Sequence, residues 1–232
     1  MEKYISKKEK ASYGFAAVGS YMVAGITQSY LMYFFTDILI IPSAFVMMLM
    51  IVARAWDALN DPMMGVIVDR TSTKYGKMRP YVLIGSFLML VTTIVLFMPL
   101  TGAPTMFKMI FAAVSYIIFG MAYTLTDVPA MGLMSVATPN SDERASLLSF
   151  YVTVGSVGSL LPVGLLTIFQ SFIPEKYVYF AMSIFVGIIT SAAYLTLFKN
   201  SKERFSTHTE KIAVRDMIKA AGKNKPMMMA LL

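Results

Sequence analysis

The sequence has no cysteine, one histidine and one tryptophan in 232 residues, and only 14% of it is charged. Without cysteine there is no disulfide, no thiolate metal ligand and no thiol nucleophile. The lone His208 lies in a polar, charged stretch after the last long apolar run, so no nucleophile–base pair or imidazole metal site is built within the apolar segments. An enzyme is not expected, and no cofactor beyond a coupling ion. The scarcity of charge excludes more. Soluble domains carry about 25% charged and 45–50% apolar residues, whereas this chain is 57% hydrophobic. Its net charge of +7 makes no nucleic-acid surface, because the basic residues sit between apolar runs rather than on a soluble face. The composition is that of a protein whose solvent is a lipid bilayer.

A helix crosses the hydrocarbon core with about 20 mostly apolar residues. Six stretches qualify, at roughly 12–36, 44–68, 81–100, 106–136, 147–172 and 177–198. They predict an all-α membrane protein with six transmembrane helices. The first is too long for the apolar region of a cleaved signal. A further apolar stretch opens at Pro226 and runs to Leu232, so the chain reads as the first part of a longer transporter. Three units follow: a bundle over 1–198, a middle loop over 199–225 and the start of a seventh helix over 226–232. In the loop, Ile212, Met217 (or Val214) and Ala221 recur at near-helical spacing; a short amphipathic helix on the membrane surface and a solvated linker both fit. Two bundles joined by a long loop is the plan of many secondary transporters.

Basic residues set the orientation. Lys3, Lys7, Lys8 and Lys10 precede span one; Arg70, Lys74, Lys77 and Arg79 lie between spans two and three; Arg144 lies between four and five. Lys199, Lys202, Arg204 and five more follow span six, while the opposite loops hold only Lys108 and Lys176. The amino terminus and the middle loop are expected in the cytoplasm, with the protein a multi-pass resident of the cell (plasma or inner) membrane.

Four ionisable residues fall inside spans: Arg54, Asp57 and Asp61 in the second and Asp127 in the fourth. Each costs roughly 2.5–3.5 kcal/mol near the centre of a membrane helix, so such residues persist when they pair or face a wet cavity. Asp57 and Asp61 are i,i+4 and share a helix face, with Asn60 beside them and Arg54 within reach. Counted from the helix ends, Asp61 and Asp127 lie at similar depth and face a common seam. Two carboxylates, an amide oxygen and a hydroxyl suit a hard cation such as Na⁺, Li⁺ or H₃O⁺; a single carboxylate can instead carry a proton. Asp127 precedes Pro129, which frees a carbonyl about one turn earlier. Its carboxylate is suited to accept two hydroxyls of a polyol in bidentate fashion. Tyr21, Gln28 and Tyr30 of span one are candidates for a cavity wall. Trp56, about 100° round the helix from Asp57, is expected to pack on lipid or a neighbouring helix. Gly14, Gly19 and Gly25 in span one and Gly155, Gly158 and Gly164 in span five are expected to let helices approach closely.

The run Arg54-Ala55-Trp56-Asp57-Ala58-Leu59-Asn60-Asp61-Pro62-Met63-Met64-Gly65, followed by Asp69-Arg70-Thr71 and Gly76-Lys77-Met78-Arg79-Pro80, resembles the glycoside–pentoside–hexuronide:cation symporters of the major facilitator superfamily, typified by the melibiose carrier. Ser12-Tyr13-Gly14-Phe15, the segment Tyr30 to Asp37, and Tyr123-Thr124 with Asp127-Val128-Pro129 extend the resemblance across all six spans. It implies twelve helices in two six-helix bundles, this chain supplying the N-terminal one and needing a C-terminal bundle as partner. It implies cation ligands at Asp57, Asn60, Asp61 and Thr124, with Asn60 favouring Na⁺ or Li⁺ over a strict proton site. It implies substrate contacts at Asp127 and Tyr123, and a gating network of Asp69, Arg70, Lys77 and Arg79, to which Arg54 is added as the charge nearest the acids. The sugar site departs from the melibiose type: Ser20-Tyr21 stand where a Lys-Asp pair is usual, Met131 replaces a Trp and Val152 an Arg. The resemblance therefore implies cation-coupled symport of a sugar or glycoside other than an α-galactoside, such as a pentoside or β-glucoside. A non-sugar amphiphile such as a lysolipid, and a non-transporting scaffold or sensor, are the alternatives.

Overall fold

The computed structural model describes residues 4–205. The amphipathic stretch around Ile212, His208 and the start at Pro226 lie outside the described residues, as does Lys3. Six long helices account for almost all of the rest: α1 (Lys7–Tyr33), α2 (Ser43–Arg70), α3 (Arg79–Leu96), α4 (Thr105–Ala137), α5 (Ser141–Gln170) and α6 (Glu175–Asn200). Each predicted span has its helix. Five of the six are long and apolar enough to cross a membrane, α1 being the exception. Its Ser20, Tyr21, Thr27 and Gln28 dilute its hydropathy for a structural reason, since α1 is the inner helix and packs against both α5 and α6.

Local chemistry sets the ends. Ser6 caps α1 by accepting the Glu9 N–H at 3.1 Å, and Asn140 caps α5 by accepting those of Asp142 and Glu143. These caps start α1 and α5 several residues earlier than apolar content alone suggests. Proline occupies the N-cap of α2, α4 and α6 (Pro42, Pro104, Pro174), where its missing N–H costs nothing. Past Tyr33, α1 widens into a π-helical turn over Phe34–Ile38, whose terminal Leu39 carbonyl accepts the buried Lys108 Nζ at 2.9 Å. Lys108 is thus a structural cation at a helix C-terminus rather than a loop charge.

Beyond α1 with α5 and α6, α3 packs on α4 and α6, while α2 leans chiefly on α4. Two apolar clusters result. One, near the π turn, gathers Met22, Phe34, Phe97 and Met182; the other, near the basic end, gathers Tyr13, Leu133, Tyr151, Tyr194 and Leu197. Outward faces are apolar too, with Met48, Ile51, Leu160 and Ile168 all exposed, as a lipid-facing surface requires. The protein is a multi-pass membrane protein.

The glycines of α1 and α5 act as expected at five positions. A Cβ on Gly25 would lie 2.6 Å from the Ser159 carbonyl oxygen, and one on Gly158 would lie 2.8 Å from that of Val18. Gly155 receives the Tyr21 ring, Gly14 that of Phe150, and Gly19 faces Thr190 of α6. Gly164 differs, with nothing within 4 Å. Because Val18 meets Gly158 through backbone atoms that cannot swing away, Gly158→Ala should cost about 1–3 kcal/mol and lower the thermal midpoint in detergent. Gly164→Ala should leave that midpoint unchanged or raise it slightly.

Candidate functional site

On α2 the buried stripe runs through Val46, Leu49, Ala53, Asn60, Met64 and Val68, and α4 is the helix it packs on. Asp57 and Asp61 flank that stripe, and this offset turns them into a cavity of about 260 Å³ between α1, α2 and α4. Arg54, Trp56, Asp57 and Asp61 of α2 line it, with Thr27 and Gln28 of α1 and Tyr116, Gly120, Tyr123, Thr124 and Asp127 of α4. The expected meeting of the α2 and α4 carboxylates in one seam is realised.

The acids are held in different ways. Thr124 Oγ1 donates to Asp61 Oδ1 at 2.9 Å across the α2–α4 contact. Asp57 has no hydrogen-bond or ion-pair partner among the described residues. Gly120 faces it, and a Cβ there would stand 3.3 Å from Asp57 Oδ1. Arg54 neutralises neither acid by contact: among the described residues the one ion pair is Arg204 with Glu9. No three His, Cys, Asp or Glu side chains come together among the described residues, so a cation here would be held by two carboxylates and hydroxyl oxygen. Asp127 is gripped through Oδ1 by Ser20 of α1 at 2.7 Å, Tyr194 of α6 at 3.3 Å and Tyr151 of α5 at 3.5 Å. One of the two oxygens expected from the sequence to meet a polyol is therefore already hydrogen-bonded within the bundle.

Four of the expected residues take other places. Asn60 is buried in the α4-facing stripe and lines no part of the cavity, its Nδ2 lacking a partner. Tyr21 turns away to α5, where it covers Gly155 and meets Tyr151 edge-on with ring centroids 6.3 Å apart. Trp56, expected to pack on lipid or a neighbouring helix, lines the cavity, with Nε1 buried and unpartnered among the described residues. Gln28 and Tyr123 do line the cavity, and Tyr123 shares a 3.2 Å hydrogen bond with Ser20. Tyr30 instead meets Tyr179 at a tilt, with ring centroids 5.8 Å apart, in the apolar cluster near the π turn. Sequence reasoning missed Tyr116, although the spacing Tyr116, Gly120, Tyr123, Asp127 marks one face of α4. It also missed Tyr151 and Tyr194, which no local pattern signals.

At the basic end the network differs from the expected one. Asp69 and Arg70 make no ion pair among the described residues. Instead the segment after α6 returns across the helix ends. Glu203 accepts the backbone N–H groups of Lys77, Met78 and Arg79 at 2.8, 2.9 and 3.0 Å, an anion on the N-terminus of α3. Gly76, at φ +105°, lets that carboxylate sit where a Cβ would otherwise stand. Arg79 donates to the Phe198 carbonyl at 2.6 Å and covers the Phe198 ring. Among the described residues Lys77 takes part through its backbone alone. Arg204 forks onto Glu9 at 2.7 and 2.9 Å, and this hydrogen-bonded carboxylate holds the guanidinium above its ordinary range.

The chain matches the MFS/sugar transport protein family over residues 12–232. It belongs to that family. Among similar proteins, the "Uncharacterized symporter YjmB" of Bacillus subtilis (strain 168) is 33% identical, over 100% of this chain and 51% of the relative. The "Inner membrane symporter YicJ" of Escherichia coli (strain K12) is 29% identical, over 95% and 48% respectively. The "Isoprimeverose transporter" of Lactiplantibacillus pentosus is 27% identical, over 96% and 48%. The chain thus spans about half the length of the curated relatives it matches. The resemblance to the glycoside–pentoside–hexuronide symporters holds, and with it the fold class, an N-terminal six-helix bundle of a major facilitator.

Glu9 is 1% exposed, so removing its partner strands a buried charge. Arg204→Ala should cost about 3 kcal/mol, read as a lower unfolding midpoint. Arg204→Lys should recover only part of it, because an ammonium cannot reproduce the fork.

Proposed function

We propose that the full-length protein is a cation-coupled symporter of a sugar or glycoside, with Asp57, Asp61 and Thr124 as ligands of the coupling ion. One observation carries this reading: among the described residues Asp57 stands unpaired in a cavity beside an Asp61 that holds a single hydroxyl hydrogen bond. Uncompensated carboxylates at that depth are costly, and a monovalent cation supplies what the protein withholds. Na⁺ is the favoured ion, Li⁺ and H⁺ the alternatives. Asn60 supports the site from the packed side of α2 rather than from the cavity, and Gly120 keeps room for the ion. Arg54 at the same wall limits the net negative charge.

The cargo is proposed to occupy the remainder of the cavity, against Asp127, Tyr123, Gln28 and Trp56. A pentoside or β-glucoside is favoured, because Ser20, Tyr21 and Val152 stand where the melibiose-type site has a Lys, an Asp and an Arg, so that both cation and acid are lost from it. That relatives are named as symporters, and one as a transporter of isoprimeverose, supports the class. By linkage, ion and cargo raise each other's affinity equally. Alternating access would rock this bundle against a C-terminal bundle, with the lysine- and arginine-rich end in the cytoplasm. Asp69, Arg70 and Lys77, which lie around a second cavity of about 220 Å³ at that end or beside it, would meet the second bundle there.

Calorimetric titration of Na⁺ into the full-length carrier, with choline holding ionic strength constant, tests the reading. Saturable binding is expected, abolished in Asp61→Asn; undiminished binding in that variant would overturn the ion site. Gly120→Ala should weaken Na⁺ binding roughly tenfold by pressing on Asp57.

A further inference from the structure

We propose that Tyr151 and Tyr194 are specificity-determining positioning residues: with Ser20 they clamp one oxygen of Asp127, so that the carboxylate reads a single hydroxyl of the cargo and leaves the adjacent position unread. The inference rests on the sugar-symporter reading above and deepens it.

Asp127 stands where four helices meet. Ser20, Tyr151 and Tyr194, from α1, α5 and α6, all direct their hydroxyls at Oδ1. A carboxylate oxygen offers two lone-pair sites, so three donors saturate it. Oδ2 has no partner among the described residues, and Asp127 lines the cavity, so Oδ2 is the oxygen left to the lumen. Tyr151 is 0% and Tyr194 1% exposed, both set in the apolar cluster with Leu147 and Leu197. Packing fixes the two rings, which therefore hold their hydroxyls in place whether or not cargo is bound. Swinging Oδ1 toward cargo would strand two buried phenol groups, a cost the native arrangement avoids.

A carboxylate with both oxygens free accepts two neighbouring hydroxyls of a sugar ring. Held by Oδ1, it loses that two-oxygen fork and keeps Oδ2 alone, whose short and near-linear hydrogen bond goes to one hydroxyl rather than across two. The neighbouring ring position is then free to carry a substituent, as it must in a glycoside linked there. The clamp also predicts the chemistry of Asp127→Asn: three hydroxyl donors retain the amide oxygen, so the NH₂ group turns to the lumen and donates where the wild type accepts.

The test uses the full-length carrier and the complete monodeoxyfluoro series of methyl β-glucoside and methyl β-xyloside as competitors for binding. Fluorine cannot donate a hydrogen bond. In the wild type, one ring position should lose about ten- to a hundredfold in affinity through Asp127, and Asp127→Asn should abolish that loss. Tyr151→Phe/Tyr194→Phe, which keeps both rings, should spread the loss to the adjacent position, a change that general destabilisation would not produce. A cargo-free arm follows the carboxylate stretch of Asp127 by infrared difference spectroscopy against Asp127→Asn, where the double Phe variant should shift the band. Two adjacent positions lost through Asp127 in the wild type, or an unshifted band, would overturn the clamp. A shifted band with neither glycoside series bound would leave the clamp standing and overturn the cargo reading instead.

Discussion

Hydrocarbon offers a carboxylate neither water nor counter-ion, and the arrangement of this bundle follows from how it answers that constraint at three aspartates. The answers are graded. Asp127 receives three hydroxyls from three helices, Asp61 receives one, and Asp57 receives none among the described residues. The gradient follows the packing. α4 carries Asp127 where α1, α5 and α6 converge, so donors are close at hand. α2 rests mainly on α4, and among the described residues its acids receive one hydrogen bond, from Thr124 of that helix. An acid in the crowded centre becomes part of the framework, while an acid on the sparsely supported helix keeps its oxygens for something that comes and goes.

Much of the fold is legible in the sequence because lipid makes length and apolar content sufficient criteria. Boundaries are less so. α5 starts at Ser141 because Asn140 and two acidic residues form a capped first turn, which an apolar count skips. The site is legible in part. An i,i+4 pair of aspartates and the stripe on α4 fix which residues share a face, and the cavity collects both. Periodicity gives an angle about a helix's own axis but not the direction of that axis's neighbours, so it does not show that the cavity takes in Trp56 and leaves out Tyr21 and Asn60. Tyr194 reaches Asp127 across 67 residues of sequence, and nothing local to either residue records that meeting.

Acidic residues at the basic end carry a related lesson. Counting lysines and arginines orients the bundle but overlooks Glu9, Glu143 and Glu203, each of which gathers hydrogen-bond donors from another part of the chain. Glu203 closes the N-terminus of α3, Glu143 accepts the Tyr4 and Ile5 N–H groups, and Glu9 pairs with Arg204, whose own backbone N–H reaches Val136 of α4. Helix ends leaving lipid expose orphan amides, and carboxylates satisfy them while tying one helix to the next. α2 joins this lattice through the Thr71–Tyr81 hydroxyl contact to α3. Towards the π turn it has no such tie among the described residues, and only packing holds it. A cation between Asp57 and Asp61, with Thr124 of α4 as a third ligand, would supply the missing tie. On the symporter reading, ion binding therefore stiffens the one helix that the rest of the bundle leaves loosely held, and it does so at the wall of the cavity the cargo enters.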